Sequence, residues 1–357
     1  MTIVEATRDY ESWARRHIAL VPADLRMKHE RMAEAAFPFL RATFYRWAQR
    51  WRALCPALDR APRLLAVGDL HLENFGTWRD AEGRLVWGIN DFDEAAPMPY
   101  AIDLVRLAVS AILARGEGWV AIGAREACGE ILEGYAAALA RGGKAFVLEE
   151  SHAALRAMAM GAERDPVRFW AKMAALPRAQ KPVRKIRALL ETDLPRKNLR
   201  FRLAHRVAGL GSLGRQRFVA LAEWRDGLIA REAKALMPSA YFWMERGRAP
   251  PIQYRAIVDR AVRCPDPFLR IEQGWIIRRL APHCSRIELA DFPKRRDERR
   301  ILEAMGHETA NVHLGSPRAI AAVRRDLAAR KGNWLAEASE IMAEATRADW
   351  KAWRKAQ

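Results

Sequence analysis

The stretch LLAVGDLHLENFGTW, residues 64–78, places an aspartate, a histidine, a glutamate and an asparagine directly after a short apolar run. A charged group among apolar residues is costly to desolvate unless it has a partner. The run RLLAV predicts a short buried strand, so we expect the polar residues in a loop at its end. This loop, with Asp69, His71 and Asn74, is the first candidate site.

A hairpin and a second acidic segment follow the loop. The turn-forming letters DAEG precede RLVWGIN, which predicts another strand, and INDFDEA then supplies Asp91. The amide oxygen of Asn74 and the carboxylate of Asp91, facing each other across a hairpin, suit Mg²⁺ because this ion prefers oxygen ligands. Asp69 is then left to orient or deprotonate an attacking hydroxyl. The alternative is a polar turn in which Asp and Asn cap backbone groups.

A glycine-rich segment, GLGSLG, contains Gly209, Gly211, Ser212 and Gly214 in a G-x-G-x-x-G pattern. A dinucleotide-binding fold needs a helix directly after this pattern, but RFVALAEW follows and alternates like a strand. The segment therefore predicts a strand–loop–strand hairpin, as in a loop that folds over ATP phosphates and offers them backbone amides. A glycine-rich turn without a ligand is the alternative.

The next strand, LIAREAKAL, carries a lysine that suits a phosphate site. Alternation places Ala230, Glu232 and Lys234 on one face of the strand and Arg231 on the other. Lysine binds phosphate oxygens as a point charge, so Lys234 is the candidate and Arg231 its competitor. A solvated lysine at a sheet edge is the alternative.

Composition narrows the class of partner but selects none. The 357 residues carry a formal charge of +18, which favours anionic partners such as phosphates, nucleotides, nucleic acid or an acidic membrane surface. A basic run, residues 181–202, suits a nucleic-acid backbone or an anionic substrate. We favour a solvated helical face, because the run has no aromatic stacking platform.

The same composition predicts the compartment. The four cysteines form no C-x-x-C pair, which favours a reducing cytoplasm. No apolar run follows a basic tip at the start, so no signal peptide is expected. No stretch reaches about 18 uninterrupted apolar residues, so we expect no membrane span.

The letters GDLHLENFG and NDFDE resemble the bacterial domain-of-unknown-function family 2252 (DUF2252), which shows G-D-x-H-x-x-N-F-G and then N-D-F-D-E. The upstream FPFLR and the downstream AGLGSLG also resemble it, over about residues 29–315. The loop is also similar to the H-G-D-x-H-x-x-N and I-D-F-G segments of aminoglycoside phosphotransferases and choline-kinase-like enzymes. That resemblance implies a kinase-like, two-lobed α+β fold with a small antiparallel sheet inserted in a large helical lobe.

The kinase resemblance assigns roles around the acidic segments. It implies that Asp69 is the catalytic aspartate, that Asn74 and Asp91 are metal ligands, and that Asp103 steadies the loop. Asp93 stands where these enzymes have glycine and adds a carboxylate beside the metal. His71 is a candidate hydrogen-bonding partner or proton carrier, with a structural histidine as the alternative.

The resemblance also assigns the nucleotide site. It implies that Gly209, Gly211 and Gly214 form the nucleotide loop, that Lys234 is the phosphate-binding lysine, and that Asp259 pairs with it. Arg41, which matches the DUF2252 pattern, is expected to contact phosphate or, more readily, to form a helix-packing salt bridge. Glu73 is expected to face solvent.

The order of these parts is reversed relative to a kinase, because the glycine-rich segment follows the catalytic loop. Either the glycines are coincidental or the fold is circularly permuted, and we favour permutation because ILEAMGHETANVH near the end resembles the helix that leads into a kinase catalytic loop. The expected segments are 1–63 (N-terminal helices), 64–198 (helical lobe with the catalytic loop), 199–290 (nucleotide-binding sheet) and 291–357 (helices returning to the helical lobe).

The function predicted from these observations is an ATP- and Mg²⁺-dependent transferase that phosphorylates a hydroxyl of an unidentified small molecule. The alternatives are a nucleotidyl (AMP) transferase, or an ATP-binding regulatory module without catalysis. A nucleic-acid-binding protein is less favoured, since only the net charge suggests it.

Overall fold

The computed structural model describes residues 1–149, 151–159, 165–180, 184–246, 251–284, 287, 289 and 297–357. The described helices are α1 Ile3–Arg15, α2 Pro22–Glu34, α3 Ala36–Ala42, α4 Phe44–Leu54, α5 Pro56–Asp59, α6 Ala101–Gly116, α7 Ala124–Arg141, α8 Ala153–Ala159, α9 Pro166–Ala174, α10 Arg184–Glu191, α11 Ala240–Glu245, α12 Tyr254–Arg260, α13 Glu298–His313, α14 Pro317–Ala329 and α15 Trp334–Lys355. The described strands are β1 Arg63–Ala66, β2 Phe75–Arg79, β3 Leu85–Ile89, β4 Ala96–Pro99, β5 Phe146–Val147, β6 Phe201–His205, β7 Arg217–Trp224, β8 Gly227–Ala235, β9 Arg270–Glu272 and β10 Trp275–Leu280. The fold is α+β, as predicted.

Helices α1–α7 and α13–α15 pack into one helical body. Helix α6 is mostly apolar and is buried on all sides over residues 101–114, so it forms the centre. Helix α13 packs against α7, and α15 packs against α6. The first contact is close, because a Cβ atom on Gly134 would lie only 1.9 Å from the Glu303 carbonyl oxygen. The last helices of the chain therefore rest on helices from its first half.

Antiparallel pairing forms three sheets in the described residues. Strand β1 pairs with β4, β3 lies between β2 and β5, and the largest sheet has the order β6-β7-β8-β10-β9. The predicted small antiparallel sheet within a mostly helical chain is confirmed, and all its strands fall between residues 199 and 290. The sequence did not predict β4, β5 or α11, since β5 has two residues and β4 contains two prolines.

The two faces of the five-stranded sheet have different neighbours. On one face Ile186 of α10 packs with Phe218 and Ile277. At one end of the other face Met173 of α9 packs with Leu280. The rest of this second face carries charged side chains that line a cleft against the helical body.

Two further features concern a membrane span and the basic run. Within the described residues, no helix combines the length and the apolarity needed to cross a bilayer. The basic run begins at Lys181, outside the described residues, but α10 exposes Lys185 and Arg187, as expected for a solvated helical face. The predicted boundary at residue 290 also lies outside the described residues.

Candidate functional site

The acidic loop, residues 67–74, joins β1 to β2. Because β2 pairs antiparallel with β3, Asn74 and the residues that follow β3 meet at the open end of one hairpin. There the Asn90 amide donates to the Asn74 carbonyl oxygen at 3.0 Å. Asn74 and Asp91, the predicted metal ligands, therefore lie on neighbouring chain segments.

Asp103, near the start of α6, holds the first part of the acidic loop. Its fully buried carboxylate accepts hydrogen bonds from the Val67 amide at 2.7 Å and the Gly68 amide at 2.8 Å. The His313 Nε2 lies 2.9 Å from the same carboxylate. Gly68 has φ 85°, and a Cβ there would lie 2.7 Å from the Glu94 carbonyl oxygen, so the position requires glycine. The predicted steadying role of Asp103 is confirmed.

Asp69, whose side chain is 18% exposed to the cleft, forms an ion pair with the fully buried Arg106 of α6. Arg106 donates to Asp69 Oδ1 from Nε at 2.9 Å and also from Nη2. The guanidinium lies 5.1 Å from the ring centroids of both Phe44 and Trp47, which adds cation–π attraction. Burial raises the pKa of Asp69 above its ordinary value, although Arg106 opposes the shift. Asp69 is thus oriented by a fixed partner and is more basic than an exposed aspartate.

His71 has a structural role in the turn that ends the acidic loop. Its backbone amide donates to Asn74 Oδ1 at 2.7 Å, and its Nδ1 accepts a hydrogen bond from the Glu73 amide at 3.1 Å. These bonds cap a single turn of 3-10 helix. They support the structural alternative for His71, although the residue also lines the cleft.

Glu73 is buried, so the prediction that it faces solvent is wrong. It pairs with Arg41 at 2.5 Å and accepts a hydrogen bond from the Leu289 amide at 3.0 Å. Arg41 therefore forms the helix-packing salt bridge that the sequence favoured. The reason is that the turn capped by His71 directs Glu73 toward α3 instead of toward water.

Lys234 of β8 reaches across the cleft to the segment after β3. Its buried Nζ lies 2.6 Å from Asp93 Oδ1 and 3.4 Å from Asp91 Oδ1. Asp93 also pairs with Arg215 at 3.1 Å. Burial disfavours charge on Asp91, but Lys234 and nearby arginines outweigh it and hold the pKa of Asp91 below its usual range. The acidic segment and the lysine, far apart in sequence, therefore meet as predicted.

The glycine-rich loop, residues 206–216, joins the antiparallel strands β6 and β7, which confirms the predicted strand–loop–strand arrangement. The Ser212 amide donates to the Gly209 carbonyl oxygen at 3.0 Å. The Ser212 hydroxyl donates to the same oxygen at 3.1 Å and accepts from Arg217 at 2.8 Å. The Ser212 amide and hydroxyl, which the sequence suggested for phosphates, are therefore already hydrogen-bonded inside the loop.

Gly211 and Gly214 pack this loop against the helical body. A Cβ on Gly211 would lie 3.2 Å from Asp69 Oδ2, so the loop approaches the candidate catalytic residue closely. Gly214 has φ 94° and lies against Leu25 of α2, where a Cβ would come within 2.5 Å. Gly214 thus serves backbone conformation and packing.

Three arginines converge on one fully buried glutamate, Glu232 of β8. Arg206 contacts Glu232 Oε2, while Arg217 and Arg278 contact Oε1 at 3.0 Å and 2.9 Å. We call Arg206, Arg217 and Arg278 the arginine cluster. Burial disfavours charge on Glu232, but the three guanidinium groups outweigh it and hold its pKa well below the ordinary value. The group therefore carries three positive charges against one negative charge.

Asp69, Asp91 and the arginine cluster line one cleft between the five-stranded sheet and the helical body, with a cavity volume of about 260 Å³. Arg106, Glu232 and Lys234 contact these residues from outside the lining. The charged residues of its lining are Lys28, Arg41, Asp69, Glu73, Asp91, Asp93, Glu94, Lys172, Arg206, Arg215, Arg217 and Arg278. Phe169, Met173 and Leu280 make one part of the lining apolar. The cleft thus has both an apolar patch and more basic than acidic side chains in its lining.

Two predicted candidates lie away from the cleft. Asp259 is on the exposed side of α12 and pairs with Arg255 at 3.8 Å, so the prediction that it pairs with Lys234 is wrong. Lys234 obtains its acidic partners from the segment after β3 instead. Arg231 lies on the opposite face of the sheet, 3.7 Å from Asp193, as strand alternation requires.

Sequence reasoning missed Arg106, although a signal was present. A charge in the middle of an apolar helix must have a partner when it is buried. It also gave Glu94 no role, yet this buried residue pairs with Arg215 at 2.9 Å and accepts from the Ala240 amide at 2.6 Å. Burial raises the pKa of Glu94 to about 7.

Lys28 was also missed, because α2 is so rich in charge that no single residue stands out. Its buried Nζ donates to the Gly211 carbonyl oxygen at 3.4 Å and lies 5.8 Å from the Tyr45 ring centroid. Among the described residues, no acid pairs with it within 4.0 Å. Burial lowers the pKa of Lys28 to about 8.

Residues 20–202, about half of the chain, match a family described as an uncharacterized protein conserved in bacteria, DUF2252. The chain belongs to the DUF2252 family. The matched segment contains the acidic loop and Asp91 but ends before the glycine-rich loop, so the expected extent of 29–315 is supported only in its first part. No curated protein and no solved structure matches this DUF2252 protein significantly.

Proposed function

We propose that this DUF2252 protein is an ATP- and Mg²⁺-dependent transferase of circularly permuted, kinase-like fold that phosphorylates a hydroxyl of a small molecule. The observation that carries the proposal is the contact of Lys234 with Asp91 and Asp93 in the cleft that also contains Asp69. Phosphoryl transfer requires a cation for the phosphates, a metal ligand and a carboxylate that orients or deprotonates the acceptor hydroxyl, all within one cleft.

The charged face of the sheet supports a place for the nucleotide. Along β8, Ala230, Glu232 and Lys234 follow one another on one face at steps of about 7 Å. Ala230 packs in the apolar cluster with Leu280, Glu232 lies among the arginines, and Lys234 meets the acids. In our proposal the base occupies the apolar end and the phosphates occupy the charged part.

The oxygen donors of the cleft fit Mg²⁺. Asp91, whose side chain is 38% exposed, and Asn74 both line the cleft, and Mg²⁺ usually binds one or two such groups plus phosphates and water. Among the described residues, no three or more His, Cys, Asp or Glu side chains are arranged to hold an ion alone. That suits an ion that takes other ligands from a nucleotide, where it would neutralise phosphate charge. We assign Asp93 to Lys234 and Arg215, and not to the metal.

Asp69 is suited to act on the acceptor. Arg106 fixes one carboxylate oxygen, and the raised pKa makes Asp69 a better proton acceptor. In our proposal Asp69 takes the proton of the acceptor hydroxyl while the hydroxyl oxygen forms a bond to the terminal phosphorus of ATP. The bond from that phosphorus to ADP breaks, ADP leaves with the electron pair, and Lys234 offsets the negative charge.

The test uses purified protein, Mg²⁺ and ATP with a pool of small metabolites bearing hydroxyl groups. Asp69→Asn should lower transfer of γ label by roughly 100- to 10,000-fold, the usual range for general acid–base catalysis. Asp91→Asn should lower it by at least roughly 100-fold, because the metal that neutralises phosphate charge loses its carboxylate ligand. Asp259→Asn, on the exposed side of α12, should keep wild-type turnover. Normal turnover in Asp69→Asn or Asp91→Asn would refute the proposal.

The position of the label separates the alternative functions. Label from the γ position on the product supports phosphoryl transfer, and label from the α position supports nucleotidyl transfer. If ATP raises the melting temperature of the protein but no label is transferred to any product, the result supports a regulatory ATP-binding module. A nucleic-acid-binding protein would instead show steep salt dependence of DNA or RNA affinity that Asp91→Asn leaves unchanged.

A further inference from the structure

The arginine cluster gathers more positive charge at one point of the cleft than the carboxylate it contacts can balance. Elsewhere around the cleft, Arg106 pairs with Asp69 and Arg41 pairs with Glu73. In the cluster, one carboxylate serves three guanidinium groups. Positive charge that is buried in excess of its partners is costly, so a site of this kind is completed by an anion.

The cluster is assembled from separate strands, which holds its geometry. Arg278 of β10 lies directly opposite Glu232 of β8, and Arg217 of β7 lies directly opposite Lys234. Arg206 follows the end of β6. Arg217 and Arg278 are therefore fixed by the ladder of the sheet, and Arg206, the first residue of the glycine-rich loop, is tied to it because its amide donates to the Arg217 carbonyl oxygen at 3.2 Å.

Two members of the cluster keep access to the cleft. The side chains of Arg206 and Arg278 are 20% and 24% exposed, whereas that of Arg217 is 5% exposed and also donates to Ser212. A guanidinium group presents several N–H donors in one plane, so a contact with Glu232 leaves others for a second anion. This geometry matches phosphate oxygens especially well.

We propose that the arginine cluster is an oligophosphate-binding site, in which Arg206 and Arg278 bind phosphate oxygens and Glu232 holds both arginines in place. The statement that this site holds the phosphates of ATP rests on the proposed function. The statement that the site binds an anion with several phosphate groups does not depend on that function. Lys234, one two-residue step along β8, extends the site toward Asp91.

The test measures binding of inorganic tripolyphosphate by isothermal titration calorimetry, with ATP and adenosine in parallel. Arg278→Gln and Arg206→Gln should each weaken tripolyphosphate and ATP binding by roughly 10- to 100-fold, the range for a lost charge-assisted hydrogen bond. Adenosine binding should not change. The matched control is Arg279→Gln, next to Arg278 on the same strand but on the other face, where its guanidinium lies 4.0 Å from the Phe268 ring centroid.

The outcomes separate this inference from the proposed function. If tripolyphosphate does not bind at millimolar concentration, or if both variants bind it like wild type, the inference is overturned, even where transfer of γ label persists. If the variants lose tripolyphosphate binding but no label is ever transferred, the site stands and the proposed reaction fails. Unchanged melting temperatures without ligand show that both variants remain folded.

Discussion

The two walls of the cleft balance their charges in different ways. On the wall formed by the acidic loop and α6, acids have their own partners, as in the pairs Asp69–Arg106 and Glu73–Arg41. On the wall formed by the sheet, three arginines share Glu232. The first wall is nearly complete as it stands, while the second has an excess of positive charge.

This difference helps to separate charges that hold the fold from charges available to a ligand. A buried one-to-one pair loses much when either partner is removed, because the other is left uncompensated. A carboxylate shared by three cations still has two of them when one is removed. Removing an arginine from the first wall should therefore lower the free energy of unfolding strongly, whereas removing one from the second wall should change it little.

The largest effect is expected for Arg106→Leu. Because the variant leaves Asp69, whose side chain is 18% exposed, without its fully buried cation, we expect the free energy of unfolding to fall by about 3 kcal/mol, the lower end of the range for breaking a buried pair. Urea unfolding followed by circular dichroism measures this change. The double variant Arg106→Leu/Asp69→Asn should recover part of the loss, and a single-variant loss below about 1 kcal/mol would contradict the comparison.

A somewhat smaller loss is expected for Asp103→Asn. Asparagine keeps one carbonyl oxygen but loses the charge that accepts from Val67 and Gly68 and faces His313. We expect the free energy of unfolding to fall by about 2–3 kcal/mol. Hydrogen exchange should show faster opening of the Val67 and Gly68 amides, and unchanged protection of both would show that Asp103 does not anchor the loop.

Glu94, which follows β3 and pairs with Arg215, makes the stability of the cleft depend on pH. Burial raises its native pKa from 4.5 to about 7, so the native state binds an extra proton between these values. The contribution of this group is therefore full below about pH 4.5, falls as pH rises, and levels off above about pH 7. In wild type, the free energy of unfolding should decline between pH 5 and 8, and Glu94→Gln should remove up to about 2 kcal/mol of that decline in urea unfolding. Wild-type and variant free energies that change in parallel with pH would contradict the raised pKa of Glu94.

The smallest effect is expected for Arg278→Gln without ligand. Since Glu232 keeps Arg206 and Arg217, and since crowding among like charges is relieved, the free energy of unfolding should stay within about 1 kcal/mol of wild type. The same urea experiment compares it directly with Arg106→Leu. A loss as large as that of Arg106→Leu would mean that the arginine cluster is structural.

Local patterns were enough for several elements of the fold. Period-two alternation predicted β7, β8 and β10, and turn residues predicted the hairpin that joins Asn74 to Asp91. The same alternation separated Lys234 from Arg231. These predictions held because each depends on residues close in sequence, whose backbone geometry is set by local sterics and hydrogen bonding.

Predictions about distant partners were less secure. Asp259 was expected beside Lys234, but it lies on the solvent side of α12, since which side of a short helix is buried depends on the elements around it. Glu73 was expected in solvent, but α3 supplies Arg41 to pair with it. The arginine cluster had no signal, because its members come from different strands and only their pairing brings them to Glu232.

The amino-acid sequence by itself determined the acidic loop, the hairpin that follows it and the alternating face of β8, since short-range spacing sets these features. Only the tertiary structure decided which cation meets which acid: Arg106 with Asp69, Lys234 with Asp93, and three arginines with Glu232. The physical reason is that an ion pair depends on distance in space and on burial, and both arise only when sheet and helical body pack together.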